Sequence, residues 1–490
     1  MRAADLAGSR VLVAGLARSG LAACQALVER GAMVAAVDGS TSEPVVAAAA
    51  KAEELGVRVE LGAAAARTLP EDVHLLVTSP GWPPHAPLLR AALERGLAVW
   101  GEVELAWRLR APDAAPWLVV TGTNGKTTTT RMLESMLRAD GRRCLAVGNI
   151  GVPLVSVVTG EQSYDVLAVE LGSPQLHSVS SVSAAGATVL NLAPDHIDWH
   201  GSFEAYRAAK RVAYDRCRGV AVHNADDPAT GALVAEASLQ PGCRVVSFTG
   251  GEPGADQVGV TDGTLIDRAF GEGSARSTGT VLADVADVRP AAPHNTANAL
   301  AAAALARSVG IAPAAVREGL RTFVPEPHRI ALVARVDGVD YIDDSKATNT
   351  HAAATSLAAY PSVVWVAGGL AKGGEFDDLV RRHGHRIRAA VLLGTDRAAV
   401  AEALARHAPT IPVVEVDGPE TSGMSLMGRV VAAAAALAKP GDTVLLAPAC
   451  ASWDQFDDYT ARGRAFADAV ARLPGAGAGS GTHGANGERR

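Results

Sequence analysis

Short apolar runs alternate with helical segments along most of this chain. Runs of four or five mainly apolar residues are typical of strands buried on both faces, as in Val11–Ala14, Leu75–Thr78, Trp117–Val120 and Val166–Glu170. Other segments, such as Met132–Leu137, repeat their apolar positions at helical spacing. Strands that alternate with helices predict parallel sheets covered by helices, so we expect an α/β protein.

Two linkers divide this pattern into three segments. Ala111–Pro116 and Pro325–Pro327 are rich in proline and interrupt the alternation. A chain of 490 residues is also too long for one ordinary domain. The tail is rich in Gly, Ala and Ser and is predicted to be disordered. The predicted domains are residues 1–112, 113–325 and 326–474, followed by the tail 475–490.

Composition excludes several classes of protein. A formal net charge of -7 and a pI near 6.0 argue against nucleic-acid binding, which requires a basic face. The five cysteines are scattered without a C-x-x-C pair, which disfavours a disulfide scaffold or a zinc ribbon. We see no signal-peptide pattern and no apolar run of roughly 18 residues, so we expect a soluble cytoplasmic protein without membrane insertion.

The strongest chemical signal is a glycine-rich loop between a predicted strand and a predicted helix. Backbone N–H groups of such a loop face phosphates, Lys126 can reach the outer phosphates, and Thr127 can ligate Mg²⁺. Val120 replaces the first glycine of the common G-x-x-x-x-G-K-[ST] pattern, so a plain turn before a lysine is the alternative. We predict ATP binding by this loop, which comprises Gly122, Thr123, Asn124, Gly125, Lys126, Thr127 and Thr128.

A second glycine turn lies near the N-terminus. The turn Gly15–Gly20 joins a strand to a helix, and the next strand ends at Asp38, an order that resembles a dinucleotide-binding fold. Ala17 occupies the second glycine position of G-x-G-x-x-G, which argues against NAD. A nucleotide or phosphate near this turn remains open, because the turn still begins a helix.

Polar side chains follow two strands of the middle segment. Glu170 ends a strand where P-loop proteins place a Mg²⁺-binding carboxylate, although a lone glutamate there is also compatible with a surface position. The run Asn191–His200 offers carboxylates and imidazoles, which suits a metal or phosphate site or a helix-capping turn. Lys210 lies on a helix of small residues, and such a lysine, taken alone, is expected to be solvated.

The third segment also places polar runs after strands. Asp343–Asn349 offers both charge signs and hydroxyls at the edge where α/β sheets bind ligands, or it is an exposed capping loop. Gly368–Gly374 surrounds Lys372 with glycines, which suits an anion or a plain turn. Cys450 is predicted to be a buried small residue and not a nucleophile, because no histidine lies nearby in the sequence.

Together these motifs resemble the Mur ligase family of ATP-dependent peptidoglycan-precursor synthetases. The resemblance spans about residues 8–474 and rests on GTNGKT at 122–127 with Glu170, His196 and Lys210, on DDSKATN at 343–349, and on PACAS at 448–452 before DQF. It implies an N-terminal Rossmann-like domain for a UDP-sugar, a central P-loop ATPase-type domain, and a C-terminal Rossmann-like domain for an amino acid.

The resemblance also implies a reaction. ATP would phosphorylate the carboxylate of UDP-N-acetylmuramoyl-L-alanine, and the amine of D-glutamate would attack the acyl phosphate, in a monomeric enzyme acting on small molecules. A related ligase for another amino acid, including a folylpolyglutamate-type enzyme, is one alternative. A nucleotide-gated binding protein that hydrolyses ATP only to change shape is the other.

Site residues follow from the same resemblance. Lys126, Glu170, His196 and Lys210 would be catalytic, with one Mg²⁺ at Thr127 and Glu170 and a second at His196 and a carbamylated Lys210. Asn298, Arg329 and Asp344 match nucleotide contacts. The uridine nucleotide would lie near Leu16, Asp38, Gly39 and Ser79, and the sugar-peptide near Asn149 and Gln175. The remaining predicted substrate residues are His328, Lys346, Thr348, Lys372, Ser452 and Tyr459.

Three sites along the chain depart from the family pattern. Gly172–Pro174 replaces a more usual Ser-Ser-Phe, Trp453 replaces a smaller apolar residue, and Tyr459 stands where phenylalanine is common. These departures concern the shapes of the muramoyl and glutamate pockets.

Overall fold

The computed structural model describes residues 5–271, 275–290, 292–325, 327–416, 418 and 424–475. The chain divides into two compact units, the first ending at Phe323 and the second beginning at Val324. The tail predicted to be disordered lies outside the described residues from position 476 onward.

The first sheet is parallel throughout and has the order β3-β2-β1-β4-β5. Because β1 lies between β2 and β4, the strand order reverses there, and a crevice opens beyond the carboxyl ends of these strands. The strands are β1 Arg10–Ala14, β2 Met33–Asp38, β3 Arg58–Leu61, β4 Leu75–Thr78 and β5 Ala98–Gly101; the helices are α1 Arg18–Glu29, α2 Glu43–Glu54, α3 Pro87–Glu94 and α4 Glu102–Leu109.

The second sheet of this unit has the order β14-β13-β12-β11-β10-β9-β6-β8-β7. Its strands are parallel except that β13 runs antiparallel to β12 and β14, so the segment near residues 250–280 contains a hairpin. Since β6 lies between β8 and β9, the loop after β6 sits beside the carboxyl ends of both neighbours.

The strands of the second sheet are β6 Trp117–Thr121, β7 Cys144–Gly148, β8 Val166–Glu170, β9 Gly186–Val189, β10 Val220–Asn224, β11 Arg244–Phe248, β12 Gln257–Thr261, β13 Thr264–Asp267 and β14 Thr280–Asp284. The helices are α5 Lys126–Ala139, α6 Leu154–Thr159, α7 Ser173–His177, α8 Ile197–His200, α9 Phe203–Arg211, α10 Pro228–Glu236, α11 Ala275–Thr278, α12 Pro293–Ser308 and α13 Pro313–Thr322.

The second unit contains a sheet of order β15-β16-β20-β17-β18-β19, in which only the β15–β16 pair is antiparallel among the described strands. The polar runs after β16, β17 and β20 therefore meet at one edge. The strands are β15 Ala331–Val336, β16 Val339–Asp343, β17 Val363–Gly368, β18 Ile387–Leu393, β19 Val413–Glu415 and β20 Thr443–Leu446; the helices are α14 Thr350–Ala358, α15 Asp377–His383, α16 Arg397–His407, α17 Leu426–Leu437 and α18 Tyr459–Ala471.

Burial explains why the short apolar runs form strands. Every residue of β4, β6, β8 and β17 is buried, as expected for parallel strands covered on both faces. The prediction of an α/β fold is confirmed. Strand β9 ends at Val189. Beyond it, Leu190 N donates to Thr121 O at the end of β6, and Asn191 O accepts a hydrogen bond from Thr123 N of the phosphate loop.

Candidate active site

The backbone of the phosphate loop is hydrogen-bonded to the side chain of its own lysine. Gly125, at φ +82°, adopts the left-handed backbone conformation that favours glycine and begins α5. Lys126 Nζ donates hydrogen bonds to the carbonyl oxygens of Gly122 (2.9 Å) and Thr123 (2.8 Å). Thr123 Oγ1 lies 2.8 Å from Tyr206 Oη, which links the loop to α9. The N-terminus of α5 and an ammonium group thus lie together, as an anion site requires.

Other predicted nucleotide residues adjoin this loop or lie on it. Thr127 is buried in the first turn of α5, and Thr128 follows it. Asn298 is buried on α12, with its Oδ1 only 2.3 Å from the position a side chain at Gly125 would take. Asn124 N donates to Asn191 Oδ1 at 2.9 Å. The predicted loop residues and Asn298 are therefore neighbours in space.

Glu170 presents an unsatisfied carboxylate oxygen next to this loop. Its side chain ends β8 and is 1% exposed, and its Oε1 accepts a hydrogen bond from Asn149 Nδ2 at 2.9 Å. Its Oε2 is buried and has no hydrogen-bond partner among the described residues. A buried carboxylate oxygen without a donor is costly, so this position fits a cation.

Lys210 is buried, contrary to the solvated position expected of a lone helical lysine. Its side chain is 1% exposed, and Nζ donates to Thr121 Oγ1 (2.9 Å) and Gly122 O (2.8 Å). The helix that carries it begins at the capping residue Ser202 and packs against the phosphate loop. Burial, reinforced by the nearby Lys126 charge, lowers the pKa of Lys210 well below its ordinary value. The amine is therefore readily deprotonated.

Imidazoles gather beside this amine. His196 begins α8 at φ +53°, and burial, more than the nearby lysine charges, lowers its pKa. His200 packs edge-on to Trp199, and burial lowers the pKa of His200 to about 4. Within the described ranges, no three His, Cys, Asp or Glu side chains form a metal-binding group. A metal here would need oxygen ligands from other residue types as well.

The predicted uridine residues collect in the crevice of the first sheet. Leu16 N donates to Asp38 Oδ2 at 2.8 Å, and Gly39 follows Asp38 directly. Ser79 N bonds to Ala14 O at 2.9 Å, which places Ser79 beside β1. A side chain at Gly15 would come within 2.0 Å of Ser79 Oγ, so the turn approaches β4 closely only because this residue is glycine.

A cavity of about 200 Å³ connects this crevice with the second sheet. Asn149 and Gln175, the predicted sugar-peptide residues, both line it, although they lie on different segments. Gln175 Oε1 accepts from Gly172 N at 2.9 Å, which orients the first turn of α7. The complete lining is Ala17, Arg18, Ser19, Pro80, Glu102, Gly148, Asn149, Gly151, Pro153 and Gln175.

Glu102 is a cavity residue that the sequence reasoning missed. It begins α4, and its Oε1 accepts a hydrogen bond from Val155 N at 2.6 Å. Burial raises the pKa of Glu102 to about 7, and the bonds from the backbone of α6 oppose this shift. Its position directly after strand β5 is the signal that could have identified it, as for Glu170.

In the second unit, two neighbouring aspartates have different partners. Asp343 Oδ2 lies 2.6 Å from Nδ1 of His328, and both side chains are buried. Asp344 receives hydrogen bonds from Ser356 Oγ and from the backbone N of Ile330, and burial raises its pKa to about 6, with the Arg329 charge opposing. The predicted residues His328, Arg329 and Asp344 are thus assembled at the end of β16.

Two lysines at the same sheet edge lie over aromatic rings. Lys346 Nζ is 3.8 Å from the ring centroid of Tyr459, and Lys372 Nζ is 3.9 Å from that of Trp453. Ser452 is buried beside Trp453, and Thr348 N donates to Lys346 O at 2.8 Å. These predicted substrate residues therefore lie at one edge of the sheet.

A buried arginine that the sequence did not single out joins these loops. Arg462, on α18, donates to Ser345 Oγ (3.0 Å), Ser345 O (2.9 Å) and Cys450 O (3.2 Å). Sequence gave no signal for it, because a lone arginine on a helix is usually exposed. Cys450 is fully buried, and burial raises its pKa to about 12, which confirms the interpretation of this residue as an inert core position.

The fold and the loop after β6 define an α/β nucleotide-binding protein with a P-loop-type phosphate site. Family models match three successive parts of the chain: a MurD-like N-terminal domain at residues 9–101, a Mur ligase middle domain at 120–306, and a Mur ligase, glutamate ligase domain at 328–450. Among the described residues, no helix is long and apolar enough to cross a membrane.

Similar proteins give the same family. The Streptomyces avermitilis protein named UDP-N-acetylmuramoylalanine–D-glutamate ligase is 58% identical over 95% of this chain and 98% of its own, and the Streptomyces coelicolor protein of that name is 56% identical over 96% and 99%. MurF from Acinetobacter baumannii shares the fold, with a TM-score of 0.57 at 19% identity over 89% of this chain and 90% of its own. The chain belongs to the Mur ligase family, and it is an ATP-dependent ligase that forms an amide bond.

Proposed function

We propose that this enzyme adds D-glutamate to UDP-N-acetylmuramoyl-L-alanine in peptidoglycan precursor synthesis, releasing ADP and phosphate. The identity of 58% to a relative that carries the corresponding name, over nearly the whole of both chains, carries this proposal. Two lysines at the edge of the last sheet, Lys346 and Lys372, support it, because two cations suit an amino acid with two carboxylates.

The first half of the reaction needs a carboxylate and the γ-phosphate of ATP to approach closely. We propose that the backbone N–H groups at the start of α5 and Lys126 bind the phosphates and balance charge during transfer. Glu170 and Thr127 would hold Mg²⁺, since Glu170 Oε2 is a buried acceptor without a donor in the part of the chain that the structure describes. The ion, when bound, would neutralise phosphate charge. Asn298, Arg329 and Asp344 are the proposed contacts of the nucleotide.

We propose that Lys210 carries a carbamate. Its amine loses a proton easily because it is buried, and a neutral amine adds to CO₂, forming an N–C bond and releasing one proton. The modification would replace a poorly solvated cation with an anion that can share a second Mg²⁺ with His196. A carbamate would also supply an additional oxygen ligand. Such a ligand is needed because His, Cys, Asp and Glu side chains alone form no metal-binding group in the described residues.

The second half of the reaction is an attack by the amine of D-glutamate on the acyl phosphate. We propose that His328, Lys346, Thr348, Lys372, Ser452 and Tyr459 orient this amino acid. The carbonyl carbon then becomes tetrahedral, phosphate leaves with the electron pair of its C–O bond, and the amine loses a proton. Anchoring both carboxylates fixes the amine, so the wrong enantiomer is rejected by geometry.

The cavity that Asn149 and Gln175 share is the proposed binding place of the sugar-peptide. We propose that the uridine nucleotide lies beyond it, at Leu16, Asp38, Gly39 and Ser79, because the crevice of the first sheet opens toward the same cavity. We further propose domain boundaries near residues 112 and 325, and a monomer that acts in the cytoplasm.

Phosphate release tests the function. We expect release only when ATP, UDP-N-acetylmuramoyl-L-alanine and D-glutamate are all present, with L-glutamate and diamino acids inactive. Lys126→Ala is the control, and it should remain folded without activity because it removes the loop ammonium. Equal use of another amino acid would contradict the substrate assignment. ATP hydrolysis that requires neither substrate would favour a nucleotide-gated binding protein.

A further inference from the structure

Trp453 is a largely exposed tryptophan with a specific cationic partner. Its side chain is 66% exposed, although most large aromatic residues of this chain are buried. Lys372 Nζ lies 3.9 Å from the centroid of the Trp453 ring, which is a cation–π distance. The ring therefore occupies a defined place relative to a lysine of the proposed amino-acid site.

The two loops that carry this pair are joined by a short backbone bridge. Leu370 and Ala451 exchange hydrogen bonds of 3.0 Å and 2.9 Å, and Lys372 and Trp453 each follow two residues later. Gly369, at φ +131°, makes this approach possible, because a side chain there would come within 2.1 Å of Ala451 O. The bridge thus sets the separation between the ammonium and the ring.

The backbone of Lys372 is itself held in an unfavourable conformation. Its φ is +51°, in the left-handed region that non-glycine residues rarely adopt. The loop is fixed by a hydrogen bond from Ala371 N to Asp396 Oδ2 (2.8 Å) and another from Gly374 N to Ala371 O (2.9 Å). Backbone strain that the surroundings enforce is typical of functional positions.

We propose that Trp453 is a positioning residue that holds the Lys372 ammonium ready for one carboxylate of the acceptor amino acid. A ring face restrains an ammonium without neutralising its charge, whereas a carboxylate partner would compete with the ligand. The remaining N–H groups of the ammonium stay available to the incoming carboxylate. This inference rests on the proposed function, and it gives the departure from the family pattern at position 453 a role.

Kinetic measurements on full-length enzyme test this role. Trp453→Leu should raise KM for D-glutamate about 3- to 10-fold, the range expected when a cation–π contact is lost, with little change in kcat or in KM for ATP. Trp453→Phe keeps an aromatic face and should retain most of the wild-type KM. Leu332→Ala is a matched control, because Leu332 is an exposed apolar residue of the same unit (60% exposed).

A double-mutant cycle separates positioning from general packing. In a Lys372→Met background, Trp453→Leu should raise KM for D-glutamate no further, because the ammonium it positions is gone. Independent, multiplicative effects of the two substitutions, or an unchanged KM in Trp453→Leu, would overturn the proposal. If wild-type enzyme instead prefers another amino acid, the proposed function fails, and the same cycle run with that amino acid still decides whether Trp453 acts through Lys372.

Discussion

Gly463→Ala should break the His328–Asp343 pair while leaving α18 helical. Gly463 lies on α18, and a side chain there would come within 2.2 Å of His328 Nδ1 and 2.8 Å of Asp343 Oδ2. Both distances are shorter than any real carbon contact, so the imidazole must move. Helix α18 should remain folded, because alanine has a higher helix propensity than glycine.

Two opposing contributions give the size of the effect. Loss of a buried hydrogen bond to a charged group costs about 1.5–3 kcal/mol. Replacing a helical glycine by alanine recovers about 0.5–1 kcal/mol. The net loss is therefore about 0.5–2.5 kcal/mol, and each 1 kcal/mol shifts the unfolding midpoint by about 2–4 °C in a unit of this size. We also expect a higher KM for D-glutamate, because His328 is a proposed substrate residue.

Differential scanning calorimetry of the full-length enzyme measures this loss, and a His328→Ala background provides the control. Without the imidazole, only the 2.8 Å contact with Asp343 Oδ2 remains and no His328–Asp343 hydrogen bond is left to lose, so Gly463→Ala should cost clearly less stability there than in the wild-type background. The reasoning is refuted if Gly463→Ala lowers the transition temperature equally in both backgrounds, or leaves both stability and KM unchanged.

Three further predictions concern the first unit. Gly125→Ala should raise KM for ATP at least about tenfold. Alanine at a left-handed φ costs about 1–2 kcal/mol, and its methyl group would come within 2.3 Å of Asn298 Oδ1. Wild-type affinity for the nucleotide, measured by titration calorimetry, would contradict this. Burial raises the pKa of Glu102 in the folded state to about 7, from an ordinary value of 4.5. Between these two pH values the folded state therefore binds more protons than the unfolded chain. The free energy of unfolding should fall by about 3 kcal/mol as pH rises from the lower to the higher value. Urea denaturation at pH 4.5 and pH 8 should show a smaller fall in the free energy of unfolding for Glu102→Gln than for the wild type. Lys210→Ala should be nearly inactive and partly rescued by short carboxylic acids, and failure of every such acid to restore phosphate release would count against a carbamate.

Local pattern was enough to predict the fold class and the phosphate loop. The strand over Trp117–Val120, the glycines and Lys126 are adjacent in sequence, and their chemistry depends on nearest neighbours along the chain. Glu170 was predicted for the same reason, because the end of a parallel strand has a known place relative to such a loop. The family resemblance supplied the remaining site residues.

Contacts between distant segments were beyond the reach of local pattern. Residue-level reasoning expected a solvated Lys210, yet α9 packs this lysine under a loop 88 positions away in sequence. Local pattern did not single out Glu102 or Arg462, since their partners at Val155 and Ser345 are distant along the chain.

The sequence by itself determined the alternation of strands and helices, the anion-binding loop and the polar runs at strand ends, because backbone geometry and hydrophobic periodicity act locally. Tertiary structure alone decided which of these runs meet, which ionisable groups lose water, and therefore which carry shifted pKa values. Strand order brings β6 beside β8 and β20 between β16 and β17, and burial follows from that order. Desolvation is a property of packing, so residue identity cannot reveal it before the chain is folded.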